Sequence, residues 1–316
     1  MNFPAISVVI PLYNESLNIE PLYKRLTAVM QGLQLSYELI FVNDGSRDNT
    51  LEVVRSLAAT HPEVKYIDLS RNFGHQIAVS AGIDAACGQA VVIIDADLQD
   101  PPELINAMYA KMKEGYEVVY AKRRQRKGES FMKLLTARLF YRLLAAITTI
   151  DIPLDTGDFR IMDKKVADAL RQMPENHKFL RGQIAWIGYR QTYIEYDRDQ
   201  RHAGKTGYTY SKMIRFALDG ITAFSNFPIK LVTFMGFSVS MIAFIFACIS
   251  LYIRYFTNLP VERGWTSLII AILFLGGVQL ISIGILGEYI SRINTDVRRR
   301  PLYFIRETNI PSLLNP

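Results

Sequence analysis

Residues 90–102 read AVVIIDADLQDPP: five apolar residues run into Asp95-Ala96-Asp97 and then into a polar turn closed by two prolines. A short apolar run bounded by turn residues has the character of a strand buried on both faces. Outward from it, Ile6–Tyr13, Glu38–Asn43, Lys65–Leu69 and Glu117–Ala121 also read as strands. Between them Leu17–Leu33, Thr50–Thr60, Gln76–Ala86 and Pro102–Glu114 are amphipathic, and Asp48 or Asn49 stands where the second helix needs a cap. Repeated strand–helix–strand spacing predicts an α/β domain, a mostly parallel sheet covered by helices on both faces. Ligands of such sheets sit beyond the carboxyl ends of the strands. Those ends here are Asn14-Glu15, Asn43-Asp44-Gly45-Ser46 and Asp95-Ala96-Asp97.

Alternate residues of an extended chain point the same way, so Asp95 and Asp97 can converge on one cation. Two carboxylates suit a hard ion, Mg2+ or Mn2+, which usually shares its shell with water and substrate phosphates. A nucleoside diphosphate fits that description. At the second strand end, Asp44 can accept hydrogen bonds from a base or ribose, or can cap a turn in which Gly45 supplies a positive φ. No G-x-G-x-x-G follows the first strand and no G-x-x-x-x-G-K-[ST] occurs, which removes dinucleotide and P-loop readings. His61, His177 and His202 form no metal spacing, and His75, in RNFGHQ, reads first as a hydrogen bond at a helix start.

The chain has 316 residues, half of them apolar and 21% charged, enough for about two domains and incompatible with disorder. Two stretches, Leu231–Ile253 and Trp265–Gly287, each run 23 residues without Asp, Glu, Lys or Arg. A bilayer core of about 30 Å needs only about 20 helical residues, so both are transmembrane candidates. Positive charges at Lys212, Arg215, Lys230, Arg292, Arg298, Arg299, Arg300 and Arg306 flank the pair, against Arg254 and Arg263 between them. That asymmetry predicts a hairpin with both termini cytoplasmic. Cys87 and Cys248 are the only cysteines, too few for a disulfide framework, and the N-terminus lacks the pattern of a signal peptide. A net charge of +6 concentrates at 122–127 and 298–300, and the second cluster is explained by lipid headgroups better than by nucleic acid. Residues 126–160 read as an excursion from the sheet, 201–210 (RHAGKTGYTY) as a loop, and Ser211–Phe227 as an amphipathic helix at the membrane surface.

Taken together, PLYNE (11–15), VNDGSRDNT (42–50), LSRNFGHQ (69–76), DADLQDPP (95–102), GDFRIM (157–162), RHAGKTGYTYSKM (201–213), two spans and LGEYISRI (286–293) resemble the family-two glycosyltransferases of GT-A fold. Within that family the sequence looks like the polyprenyl-phosphate glucosyltransferases called bactoprenol glucosyltransferases. The resemblance implies a cytoplasmic GT-A domain over 1–210, an amphipathic helix over 211–228, two transmembrane helices within 229–290 and a basic cytoplasmic tail over 291–316. It implies inverting transfer of glucose from UDP-glucose to undecaprenyl phosphate at the inner membrane, for modification of O-antigen or another envelope glycan, by a homotetramer. Carried over by motif, Pro11, Tyr13, Glu15 and Asp44 surround uridine, Asp95 faces ribose or metal, Asp97 binds the metal and Gln99 completes its shell. Asp158 matches the family's proposed base, Arg160 is a candidate phosphate partner, and Arg201 and Lys205 lie on a loop closing over the diphosphate. An i, i+2 surface ion pair is the plainer reading of Asp158 and Arg160.

The acceptor, a phosphate monoester with a second pKa near 6, is already largely ionised at neutral pH. The reaction therefore needs alignment, screening of two anions and stabilisation of the departing diphosphate more than it needs a base. Arg123, Arg124 and Arg126 are candidates for the acceptor phosphate, and Asp158 stands either as a base or as an orienting residue. Another sugar, aminoarabinose or mannose, is the alternative within the family; a non-enzymatic carrier lacks the ionisable residues expected inside its spans. Because all the nucleotide motifs precede residue 230, removal of 231–316 is expected to leave a domain that still binds UDP.

Overall fold

Period-two alternation is what builds the sheet. In β1 (Ile6–Leu12) the side chains of Ile6, Val8, Ile10 and Leu12 enter one core while Val9 enters another. β2 (Tyr37–Asn43) divides in the same way, Leu39 and Phe41 against Ile40 and Val42, and so does β4 (Ala90–Ile93), Ala90 and Val92 against Val91 and Ile93. A strand with apolar residues on both sides must be covered on both sides. In the computed structural model, which describes residues 3–124, 156–197, 227–256 and 264–313, helices α1 (Ile19–Leu33), α2 (Thr50–Thr60) and α4 (Leu104–Lys113) contribute to one core. The other takes α3 (His75–Ala85), α5 (Lys164–Arg171) and α6 (Leu180–Ile187). Each fully buried Leu, Ile or Phe of these layers contributes about 1.5–3 kcal/mol.

The remaining strands are β3 (Val64–Leu69), β5 (Val118–Arg123), β6 (Thr156–Asp163), β7 (Gln191–Tyr196) and β8 (Ile305–Thr308), in the order β7-β5-β6-β4-β1-β2-β3-β8. β1 to β4 pair in parallel and β5 pairs in parallel with β7, whereas β6 runs antiparallel between β4 and β5. Six strands thus point one way, as expected, and β6 brings its amino end to their carboxyl edge. The expected short strand at Phe159–Met162 extends in both directions to Thr156–Asp163. Helix α3 lies so close to β1 that a Cβ on Gly82 would stand 2.2 Å from Val9 Cγ1, so only glycine permits this packing.

Beyond the sheet, α7 (Phe227–Phe256) and α8 (Trp265–Val297) exceed the expected spans at 231–253 and 265–287. Phe227–Phe246 and Phe274–Val297 are long and apolar enough to cross a membrane. Phe234, Phe237, Phe244, Leu280 and Ile281 of these helices are exposed, an apolar surface larger than soluble proteins present to water. Glu288 and Arg292 pair at 3.1 Å, one helical turn apart.

Within the expected tail over 291–316, residues 305–308 form β8, antiparallel to β3. The chain is pinned there by Glu307, which accepts from Arg55 and Tyr66, and by Asn309, which exchanges bonds with Tyr66 N and Val64 O. A second tie joins Asn176 to Asp296 and Thr295 at the end of α8. Arg126, Arg201, Lys205 and, apart from Phe227, the helix expected over Ser211–Phe227 lie outside the described residues.

Candidate active site

Four loops meet at the carboxyl edge of the sheet. After β1, Asn14 adopts φ 56°, its amide donates to Ser46 Oγ at 2.9 Å, and its side-chain oxygen accepts Arg47 N at 2.8 Å. These bonds join the PLYNE and NDGS segments into one wall. Within it Pro11 is buried, Tyr13 is exposed, and Glu15 accepts from Asn18 Nδ2 at 2.6 Å. Gly45 has φ +65°, and a Cβ there would stand 2.6 Å from the backbone of Arg71 and Asn72, so both its conformation and its crowding require glycine. Asp48, as expected, serves α2: its carboxylate accepts Thr50 N at 3.1 Å.

Asp44 is buried, and its two oxygens accept Phe73 N at 2.7 Å and Gly74 N at 2.9 Å. It therefore caps not its own turn but the loop before α3. Burial pushes its carboxyl upward, opposed by those two amides. α3 begins at the next residue, with its amino end at the cleft.

After β4, Asp95 is partly exposed while its Oδ1 is buried with no hydrogen-bond donor among the described residues. Burial lifts this carboxyl to about 6 against the pull of His75, and the negative charges of Asp158, Asp100 and Asp97 add to the rise. Asp97 is buried and accepts Gln99 N at 3.2 Å across Leu98, held at φ 59°. A left-handed leucine costs about 1–2 kcal/mol, which marks this turn as one held in place by its surroundings. An orphaned carboxylate oxygen among like charges, with a second carboxylate two residues on, is a donor set that suits Mg2+ or Mn2+, and Asp95, Asp97 and Gln99 would hold it.

Facing them, β6 delivers Asp158. It accepts from His75 Nε2 at 3.0 Å, Gln76 Nε2 at 3.2 Å and Arg181 Nε at 3.0 Å, and Arg160 stands 3.5 Å away. Desolvation would raise its carboxyl, but Arg181, the His75 hydrogen bond and Arg160 outweigh it and hold the group well below the usual range. For His75 desolvation acts downward, and the bond to Asp158 with the charge of Asp95, 3.7 Å away, lifts the imidazole to about 9. His75 is thus a cation between two carboxylates.

The surface-pair reading of Asp158 and Arg160 does not hold, since their side chains are 13% and 5% exposed. Arg160 turns inward, with Nε on Asp158 O at 3.1 Å and a terminal nitrogen on Gly157 O at 3.0 Å. Burial lowers its guanidinium to about 10 although Asp158 opposes this. It braces the Gly157–Asp158 turn from a buried position. Arg123 is half-buried, reaching Tyr196 OH at 3.4 Å, with its guanidinium beside Gly157; Arg124 is exposed near Glu195 and Asp197. Tyr196 also donates to buried Asp100.

Sequence reasoning missed His75, Gln76 and Arg181 as partners of Asp158. For the first two the signal was present in RNFGHQ, just before a predicted helix at the ligand edge. Arg181 had none, because α6 is eight residues long and its role arises only when it packs beside α3, where Leu180 N donates to Gln76 Oε1 at 3.3 Å.

Residues 7–171 match Glycosyl transferase family 2, and residues 228–293 match the GtrB C-terminal hairpin. Over 302 residues the chain is 51% identical to the uncharacterized glycosyltransferase YkcC of Bacillus subtilis, covering 96% of this chain and 93% of that one. Over 304 residues it is 40% identical to the SfII prophage-derived bactoprenol glucosyl transferase of Shigella flexneri, covering 96% and 98%. A crystal structure of glucosyl-3-phosphoglycerate synthase from Mycobacterium tuberculosis with Mn2+, UDP and phosphoglyceric acid aligns with a TM-score of 0.46 at 18% identity, over 69% of this chain and 76% of that one. A strand-end Asp95-Ala96-Asp97, an opposed Asp158 and the match of both segments lead to one assignment: the chain belongs to glycosyl transferase family 2 and is a glycosyltransferase carrying the GtrB-type C-terminal hairpin.

Proposed function

We propose that this glycosyltransferase moves glucose from UDP-glucose to undecaprenyl phosphate on the cytoplasmic face of the bacterial inner membrane, with inversion to a β-linked lipid-phosphate sugar for O-antigen or envelope-glycan modification. The observation that carries the reading is the continuity of cleft and hairpin: only residues 298–304 separate the end of α8 from β8, which lies in the same sheet as the cleft. An acceptor whose phosphate lies at headgroup level and whose tail stays in hydrocarbon needs an active site held at that height. The full-length similarity to a bactoprenol glucosyl transferase supports the same acceptor.

In this reading 1–210 is the catalytic domain, 211–228 a surface helix, 229–290 a transmembrane hairpin and 291–316 its cytoplasmic return, and both termini share one side. Association as a homotetramer belongs to the same proposal. Pro11, Tyr13, Glu15 and Asp44 line the nucleoside wall. A divalent cation at Asp95, Asp97 and Gln99 supplies positive charge to the leaving diphosphate, with Arg201 and Lys205. Arg123, Arg124 and Arg126 take the acceptor phosphate. Asp158, kept ionised by three cations, serves as an orienting residue, since a carboxylate so stabilised is a weak base and an ionised phosphate asks for none.

Purified protein with undecaprenyl phosphate and UDP-glucose, UDP-galactose or GDP-mannose tests the donor. UDP-glucose is expected to give lipid-linked β-glucose; preference for GDP-mannose would move the assignment to the alternative sugar. The Asp158 role is tested by Arg181→Ala. Its loss lets the Asp158 carboxyl rise, so activity is expected to fail at a higher pH on the acid side, with turnover at neutral pH down about tenfold. Superimposable pH–rate profiles for the variant and the parent enzyme would exclude that role.

A further inference from the structure

Asp68 is wholly buried at the end of β3, and nothing in the reaction as proposed uses it. Its Oδ1 accepts Asn43 Nδ2 at 2.7 Å; its Oδ2 has no hydrogen-bond donor among the described residues and faces Arg306 at 3.6 Å. Arg306 comes from β8, after the hairpin, and also donates to Ser70 O. In the sequence it counts only as a flanking positive charge, yet β8 is short, antiparallel and aligned so that Leu69 faces Ile305, which brings Arg306 to the ligand edge. A buried carboxylate with one unbonded oxygen depends on a nearby cation to remain charged.

We propose that Arg306, delivered from beyond the apolar hairpin, is a positioning residue for the nucleoside-binding turn 43–46, acting through the Asp68 carboxylate and the Asn43 side chain. This rests on the reading of that turn as part of the UDP site. The path is continuous. An ionised Asp68 accepts only, so it fixes the Asn43 amide with Nδ2 towards β3. Asn43 Oδ1 then faces the turn and accepts Ser46 N at 3.3 Å, and Ser46 Oγ accepts Asn14 N at 2.9 Å. Both segments of the nucleoside wall are therefore ordered by one amide orientation. Burial pushes the Asp68 carboxyl upward against Asn43 and Arg306. Without the Arg306 guanidinium 3.6 Å from Oδ2, the Asp68 carboxylate is held less firmly as the acceptor of Asn43 Nδ2, and a flipped Asn43 would present NH2 to Ser46 N–H.

The test uses full-length protein in detergent, with Arg306→Ala, Arg306→Lys, Asp68→Asn and the double variant Arg306→Ala/Asp68→Asn. Two readings are taken: the Kd for UDP with Mn2+, beside donor KM and kcat, and amide hydrogen exchange at residues 43–48 without ligand. Arg306→Ala is expected to raise Kd and KM about tenfold with kcat within about twofold, and Arg306→Lys to recover most of the loss. In the Asp68→Asn background, where no buried charge needs holding, the Arg306 substitution should change Kd less than about twofold. Exchange at 43–48 should quicken in Arg306→Ala. Unchanged exchange there, loosening confined to β3 and β8 with Kd preserved, or an equal effect in both backgrounds overturns the proposal. If the parent protein does not bind UDP with Mn2+, the nucleotide reading fails by itself, and the ligand-free exchange still decides whether Arg306 orders the turn.

Discussion

Asp97→Ala is expected to lower glucosyl transfer by about two to four orders of magnitude, the largest effect of any single substitution in the cleft. Asp97 is buried at a turn that Leu98 enters at positive φ, so its carboxylate is aimed by the backbone. In the proposed reading its loss would remove one of the two carboxylates that would hold the cation. Asp95→Asn should also be severe, with more of its effect on donor affinity, because the orphaned Oδ1 is then replaced by a group that binds cations poorly. Turnover measured at saturating donor, together with Mn2+ affinity from electron paramagnetic resonance, separates the two. Undiminished turnover of Asp97→Ala, or full activity of the parent enzyme in excess EDTA, would contradict the assignment.

The second large effect concerns the end of the chain. Removing residues 231–316 was expected from the motifs to spare UDP binding; the structure revises that, because the deletion takes β8 with the hairpin. It bares the β3 edge, uncovers the core around Ile310 and leaves Asp68 buried without Arg306. Loss of the β8 pairing and of the apolar cover at Ile310 removes stability from the domain. The truncated protein should aggregate or melt far below the intact one, with no UDP binding. Replacing only residues 228–293 by a flexible linker keeps Thr295, Asp296 and β8, and should leave a folded domain that binds UDP with metal, transfers poorly to undecaprenyl phosphate in bilayers and regains rate on a short soluble prenyl phosphate. Thermal melts and UDP titrations of the two deletions decide it: equal stability would show β8 to be dispensable.

How far the sequence could be read follows from how local each signal is. The alternation in β1, β2 and β4 and the spacing of α1 to α4 depend on neighbouring residues, so those elements fell within a few positions of where they were expected. The strand-end carboxylates were legible for the same reason, since a run such as AVVIIDAD carries its own geometry. β8 was not, because four residues, Ile305–Thr308, have no periodicity to speak of and their partner lies more than two hundred residues earlier. α5, α6 and β7 follow residues 125–155 and are short, six to eight residues, which hid Arg181. Arg160 misled because i, i+2 spacing shows that two side chains share a face but not whether that face is buried. His75 misled in a different way: its place at a helix start was foreseen, but the partner across the cleft is 83 residues away.

In the proposed function a metal-dependent cleft places glucose on a membrane-held phosphate. Its most direct test is radiolabelled UDP-glucose given to proteoliposomes containing the full-length protein and undecaprenyl phosphate, with the organic phase counted after extraction. Label is expected in an acid-labile lipid when Mg2+ or Mn2+ is present, and background counts with EDTA or with Asp97→Ala. Label that enters the lipid equally in all three conditions, or label that never leaves the aqueous phase under any of them, would contradict it.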